Sequence, residues 1–112
     1  MIMEMTEGGL TLPDLVHRAV ERFGERPVVV TPNDRLTFAG LQLASRRLAG
    51  RLAEAGVGKG VRVGAQFSYG AQWLISFVAA TSIGAVYVPL STAYKPAELR
   101  RVARHADLAL LL

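Results

Sequence analysis

Few side chains in this sequence can do chemistry, and their spacing decides what each one is for. Gly56-Val57-Gly58-Lys59-Gly60 has the composition of a phosphate-cradling loop. Such loops follow a strand and open a helix, so that backbone N–H groups and the helix dipole meet the anion. Here the apolar periodicity puts a helix before the glycines and a strand after them, and no Ser or Thr follows Lys59 to reach magnesium. The segment therefore reads as a helix stop and a loop. Ser68 and Ser91 fall just after strands, where the reactive groups of open α/β sheets collect. No His or Asp is placed to activate either one as a nucleophile, so backbone turn roles are expected. His17 and His105 lie on polar helix faces without a partner nearby in sequence. The absence of cysteine excludes disulfides and thiolate zinc sites, and two histidines alone cannot build a metal centre. No catalytic residue and no metal ligand is expected in the 112 residues.

The elements that would position these groups can be read along the chain. Thr11, Pro13 and Asp14 form a helix start, with Leu12, Leu15, Val16, Ala19 and Phe23 on one face and Asp14, Arg18, Glu21 and Arg22 opposite. Gly24 ends this helix. Val28–Val30 and Leu36–Phe38, separated by Pro32-Asn33-Asp34-Arg35, predict a hairpin. Thr37 caps a second helix whose buried stripe is Leu41, Ala44, Leu48, Leu52 and Ala55, with Gly56 as the left-handed residue past its end. A strand over 61–67 follows, then a helix over 71–83 that is apolar nearly all round, as a helix packed on both sides must be. Val86–Val88 is the next strand, ended by Pro89. Pro96 opens a fourth helix with Leu99, Val102, Ala103 and Ala106 inward, and Leu108–Leu112 is the last strand. The fold class is α/β: an N-terminal helix and β-hairpin, then βαβαβ with a parallel sheet covered on both faces.

Composition narrows the function classes. Hydrophobic residues are 51% of the chain before its 11 glycines are counted, more than the apolar share of about 45–50%, glycine included, of average chains. A free-standing small domain needs a polar exterior, so this composition reads as the interior part of something larger. The Leu108–Leu112 run, with no turn after it, reads as a chain that begins at a true start and stops before its natural end. Between Arg62 and Lys95 no side chain is charged at neutral pH. Gly70, Gly84 and Pro89 cut that run into pieces too short to span a bilayer, so buried core is expected and a membrane-associated segment over 64–94 is the lesser reading. Of 13 basic residues, 11 are Arg, set against 9 acids. Arg46, Arg47 and Arg51, and Arg100, Arg101 and Arg104, lack the interleaved aromatics of a nucleic-acid platform. They read as solvated helix faces, helped by Asp14–Arg18 and Glu98–Arg101 pairs. Acid at Glu4 and Glu7, where a targeting signal carries base, points to the cytoplasm.

Four stretches in order carry a family likeness. They are Arg35-Leu36-Thr37-Phe38 with Leu43–Ala49; Leu52–Val63, which holds Glu54-Ala55-Gly56-Val57-Gly58-Lys59-Gly60; Phe77-Val78-Ala79-Ala80 with Gly84–Leu90; and Pro96–Arg100 with Ala106-Asp107. Together they resemble the N-terminal part of the adenylate-forming enzymes, most closely the AMP-forming acyl-CoA synthetases. The resemblance covers residues 10–112, leaving 1–9 as a flexible N-terminus and 10–112 as part of an N-terminal subdomain. It departs at Gly40 and Val61, where the family carries acids, and in the loop after Pro89-Leu90. There the family carries Asn and Arg, and this chain has Ser91-Thr92-Ala93-Tyr94-Lys95.

The resemblance implies a two-step ligase. A carboxylate attacks the α-phosphorus of Mg-ATP to give an acyl-adenylate and pyrophosphate, and the thiol of coenzyme A then displaces AMP. The parent enzyme would use ATP, Mg²⁺ and coenzyme A, with a small carboxylic acid as substrate and the remainder of the synthetase as partner. The segment itself would bind no cofactor and be inactive alone, because the family's phosphate loop and acidic motifs lie outside it. The resemblance further implies that Ser91, Tyr94 and Lys95 edge the coenzyme A channel, with Lys95 standing in for the missing Arg as a point charge. The rival from another class is a non-catalytic α/β module that binds a partner through an exposed strand edge.

Overall fold

The computed structural model describes residues 11–112; the N-terminal stretch 1–9 lies outside them, as does Leu10. The elements run α1 (Leu12–Phe23), β1 (Pro27–Val30), β2 (Arg35–Thr37), α2 (Phe38–Glu54), β3 (Arg62–Ala65), α3 (Ala71–Ser82), β4 (Val86–Pro89), α4 (Pro96–His105) and β5 (Leu110–Leu111). Both expected helix starts form. Thr11 Oγ1 accepts from the Asp14 N–H at 3.3 Å while Asp14 Oδ2 accepts from the Thr11 N–H at 3.0 Å, a reciprocal cap. Thr37 Oγ1 accepts from the Gly40 N–H at 3.0 Å. β1 and β2 pair antiparallel as the hairpin.

The remaining strands form a parallel sheet in the order β4-β3-β5. Helices α2, α3 and α4 hand over to β3, β4 and β5 by one device, a Schellman stop. After α2, the Val57 N–H reaches Leu52 O at 2.9 Å and the Gly56 N–H reaches Ala53 O at 3.0 Å. After α3, the Ala85 and Gly84 N–H groups reach Ala80 O and Thr81 O, both at 3.1 Å. After α4, the Leu108 N–H reaches Ala103 O at 2.9 Å and the Asp107 N–H reaches Arg104 O at 3.2 Å. The pivot residue has φ of 91° at Gly56, 79° at Gly84 and 54° at Asp107. The Gly56–Gly60 segment is thus a helix stop, and the Gly60 N–H is bonded to Gly84 O at 2.9 Å.

Layering explains the apolar character of α3. On one side it joins α2 against the sheet, where Leu52, Val57, Val63, Ala79, Ala80 and Ala85 form a buried cluster. On the other side Val78 meets Val16 of α1 and Leu41 of α2, with Val28 and Leu36 of the hairpin packed against them. Register sorts the sheet's side chains in the same way. Val63, Tyr87 and Leu110 are partners and face α2 and α3, whereas Gly64, Val88 and Leu111 are partners on the opposite face.

Several expectations need correction. The opposite face of the sheet is only partly covered, since Val86 is 45% and Leu111 42% exposed. The reason is α4, which contributes no buried residue; Leu99, Val102, Ala103 and Ala106 are half-buried. Ala55, placed on the buried stripe of α2, is exposed. The Asp14–Arg18 and Glu98–Arg101 pairs do not form. Among the described residues the ion pair present is His17–Glu21, with Nε2 to Oε1 at 3.0 Å, so His17 does have a partner one turn along. No helix among the described residues is long and apolar enough to cross a membrane, which removes support for the membrane-associated reading.

Candidate functional site

The chain reverses direction across the sheet at β3, stepping to β4 on one side and returning to β5 on the other. In open α/β sheets, ligands bind outside the carboxyl ends of the strands near such a reversal. A crevice of about 520 Å³ opens there. Phe67, Ser68 and Tyr69 line it from the loop after β3, Pro89, Leu90, Ser91 and Thr92 from the end of β4 and its loop, and Trp73 from the first turn of α3. The fold therefore brings Ser68 and Ser91, 23 positions apart in sequence, to one wall.

An array of aromatic rings stiffens the floor. Trp73 stacks on Phe77 with centroids 5.3 Å apart and an interplanar angle of 18°. Tyr87 meets both rings edge-on. Tyr69, 87% exposed, leans on Trp73 at 5.3 Å from the mouth of the crevice. Beneath the rings, Ser76 is 1% exposed. Its hydroxyl donates to Trp73 O at 3.0 Å and lies 2.7 Å from the Tyr87 hydroxyl. Burial pushes the Tyr87 phenol above its ordinary value, and its bond to Ser76 opposes that only in part. Tyr87 thus stays protonated at neutral pH and serves as structure under the floor.

The loop after β4 is a tight turn. The Tyr94 N–H bonds Ser91 O at 3.3 Å and the Ala93 N–H bonds Ser91 Oγ at 3.1 Å, the backbone turn role expected of Ser91. Tyr94 is half-buried, and Lys95 is exposed at the start of α4. Ser91 lines the crevice, whereas Tyr94 and Lys95 lie further along the same loop and are not part of its wall. Sequence reasoning missed Gln66, which bonds this loop from the end of β3. A polar residue directly after the buried Val63-Gly64-Ala65 run was the available signal.

No carboxylate, histidine or lysine stands in the crevice wall. The described residues hold no group of three His, Cys, Asp or Glu able to bind a metal ion. The residues present therefore do not fit Mg²⁺ or a triphosphate, and the crevice suits an uncharged portion of a ligand. His105, like His17, is exposed and away from this wall. A second groove of about 230 Å³ between α1, α2 and α3 includes Pro13, Gln42, Ser45, Arg46 and Ser82. There the Ser45 and Ser82 hydroxyls are already committed to Gln42 O and Ala79 O.

Comparison with known proteins adds an independent line. Residues 16–112 match the family described as AMP-binding enzyme. The putative acyl-CoA synthetase YngI of Bacillus subtilis (strain 168) is 33% identical over 104 residues, covering 91% of this chain and 19% of the relative. A linear gramicidin synthase of Brevibacillus parabrevis is 30% identical over 99 residues, covering 88% of this chain and 2% of that protein. Among solved structures, the anthranilate CoA ligase AuaEII in complex with anthranoyl-AMP superposes with a TM-score of 0.80 at 25% identity, over 89% of this chain and 19% of its own. The chain thus spans about a fifth of the length of the two ligases.

Proposed function

Because the chain belongs to the AMP-binding enzyme family, we propose that it is the N-terminal region of an AMP-forming acyl-CoA synthetase. In that enzyme a carboxylic acid is activated by Mg-ATP and passed to coenzyme A. The match over residues 16–112 carries the reading, and the α/β fold shared with an anthranilate CoA ligase supports it. The relatives include a gramicidin synthase as well as ligases named for coenzyme A, so acyl transfer to coenzyme A is the finer part of the proposal. Cytoplasmic placement belongs to the same proposal.

The chain's own residues contribute scaffold and one wall. ATP and Mg²⁺ supply the phosphoryl chemistry, and the groups that hold them lie elsewhere in the enzyme, since the crevice offers neither carboxylate nor cation. The loop Ser91–Lys95 edges the passage for coenzyme A. Uncharged walls from Tyr69, Trp73, Ser91 and Thr92 suit the neutral thiol arm, and Lys95, an exposed point charge beyond the wall on the same loop, suits a phosphate at the solvent end.

The test separates the two half-reactions. Residues 11–112 are spliced into YngI in place of the matching segment, and carboxylate-dependent pyrophosphate exchange and acyl-CoA formation are measured in turn. Both persist if the reading is right. Exchange without acyl-CoA formation removes the coenzyme A assignment, and loss of both in a folded chimera removes the ligase assignment. The 112-residue chain alone gives exchange at background.

A further inference from the structure

Gln66 lies one residue past β3 and directly before Phe67, which lines the crevice. Its carboxamide nitrogen carries two N–H groups and has two carbonyls in reach, Ser91 O at 3.0 Å and Tyr94 O at 3.3 Å. Chemistry fixes the amide's orientation, because the oxygen in that place would face two other oxygens. The Gln66 backbone N–H is engaged as well, donating to Leu112 O at 3.2 Å. One residue thus links the end of β3, the residue after β5 and both ends of the 91–94 turn.

The loop has little else to hold it. The Leu90 N–H bonds Ala65 O at 2.8 Å where the loop begins, and α4 takes over at Pro96. Between them Ser91, Thr92, Ala93 and Lys95 are exposed. A segment with so few buried contacts takes its position from hydrogen bonds, and its local opening free energy is low.

We propose that Gln66 is a positioning residue, the strap that sets the Ser91–Lys95 loop at the crevice and so governs the affinity for the ligand that passes beside it. The functional half of this inference rests on the reading of that loop as the coenzyme A edge. The substitution Gln66→Glu keeps the shape, removes both donors when ionised, and turns charged oxygens toward two carbonyls. Gln66→Met keeps the length and removes the donors without adding charge. Gln66→Lys restores a donor.

The experiment uses the YngI chimera that carries residues 11–112, measures amide hydrogen exchange over residues 63–95, and measures the KM for coenzyme A in acyl-CoA formation. In Gln66→Glu, and in Gln66→Met should the first not fold, exchange at Ala93 and Tyr94 rises about tenfold, the factor that about one lost net hydrogen bond gives. The core amides of Val63, Ala79 and Ala80 keep their rates. The KM for coenzyme A rises by a similar factor, and Gln66→Lys reverses both effects. Unchanged exchange at Ala93 and Tyr94 overturns the strap, as does a uniform rise that includes the core. A loosened loop with an unaltered KM for coenzyme A leaves the strap standing and removes the channel reading, so the two failures are told apart.

Discussion

The packing on the open face of the sheet can be tested at Gly64, at the centre of β3 with β4 on one side and β5 on the other. A methyl group added there would lie 2.5 Å from Leu108 Cδ1, 3.1 Å from Leu90 Cδ1 and 3.3 Å from Leu111 Cδ1. Two effects oppose each other in Gly64→Ala. Alanine is the better strand-interior residue by about 0.5–1 kcal/mol, while overpacking a filled space costs about 1–3 kcal/mol. Leu111 is 42% exposed and can swing toward solvent, but Leu90 is 9% exposed and cannot. Leu108, the nearest, lies between them. Overpacking therefore wins, and the substitution is expected to destabilise the chain by about 1–2 kcal/mol. Urea unfolding followed by far-ultraviolet circular dichroism measures this, and a thermal melt shows about 4–8 °C per kcal/mol for a chain of this size. In a Leu108→Ala background the penalty shrinks, giving a coupling of about 1 kcal/mol in the double-mutant cycle. A neutral or stabilising Gly64→Ala, or an equal penalty in both backgrounds, would refute the claim that these leucines occupy the space over Gly64.

Three further predictions concern helix ends. At Asp107, with φ of 54° where the other two stops have glycine, Asp107→Gly relieves left-handed strain and stabilises by about 0.5 kcal/mol. Gly84→Ala costs about 1–2 kcal/mol, because the new methyl meets Lys59 Cα at 3.2 Å as well; chemical denaturation of both variants checks the opposite signs. At Asp14, hydrogen bonds from the Thr11 backbone N–H and, less strongly, with the Thr11 side chain hold the carboxyl below its ordinary value of 3.8. The folded value is the lower one, so the cap's contribution is present above 3.8 and is lost as pH falls through the folded value. Protection of the first-turn amides of α1 is expected to persist at pH 5 and to fall in that acid window, and Asp14→Asn to remove the dependence.

What could be read from the sequence was local. Thr11, Pro13 and Asp14 sit within one turn, so their cap was legible, and so were the glycine pivots at Gly56 and Gly84. The helix over 71–83 was recognisable as doubly packed because apolar residues surround it. Long-range features were not legible. Gln66 finds its carbonyls 25 and 28 residues away, and nothing near it in sequence announces them. The shallow docking of α4 depends on tertiary packing that its amphipathic pattern does not encode. The Asp14–Arg18 pair was expected from spacing alone, but the Thr11 N–H already holds the Asp14 carboxylate. The reverse applies at His17, whose partner Glu21 stands at the i,i+4 spacing and was overlooked. Of the loop residues taken from the family resemblance, Ser91 stands in the crevice wall and Tyr94 and Lys95 stand beyond it.

The most direct test of the functional account is a coenzyme A footprint on the YngI chimera that carries residues 11–112, read as changes in amide hydrogen exchange on titration. Saturable changes concentrated at Gln66–Tyr69, Trp73 and Ser91–Lys95 are the predicted result. Changes centred instead on the groove of Pro13, Gln42 and Arg46, or none up to millimolar coenzyme A, would contradict it.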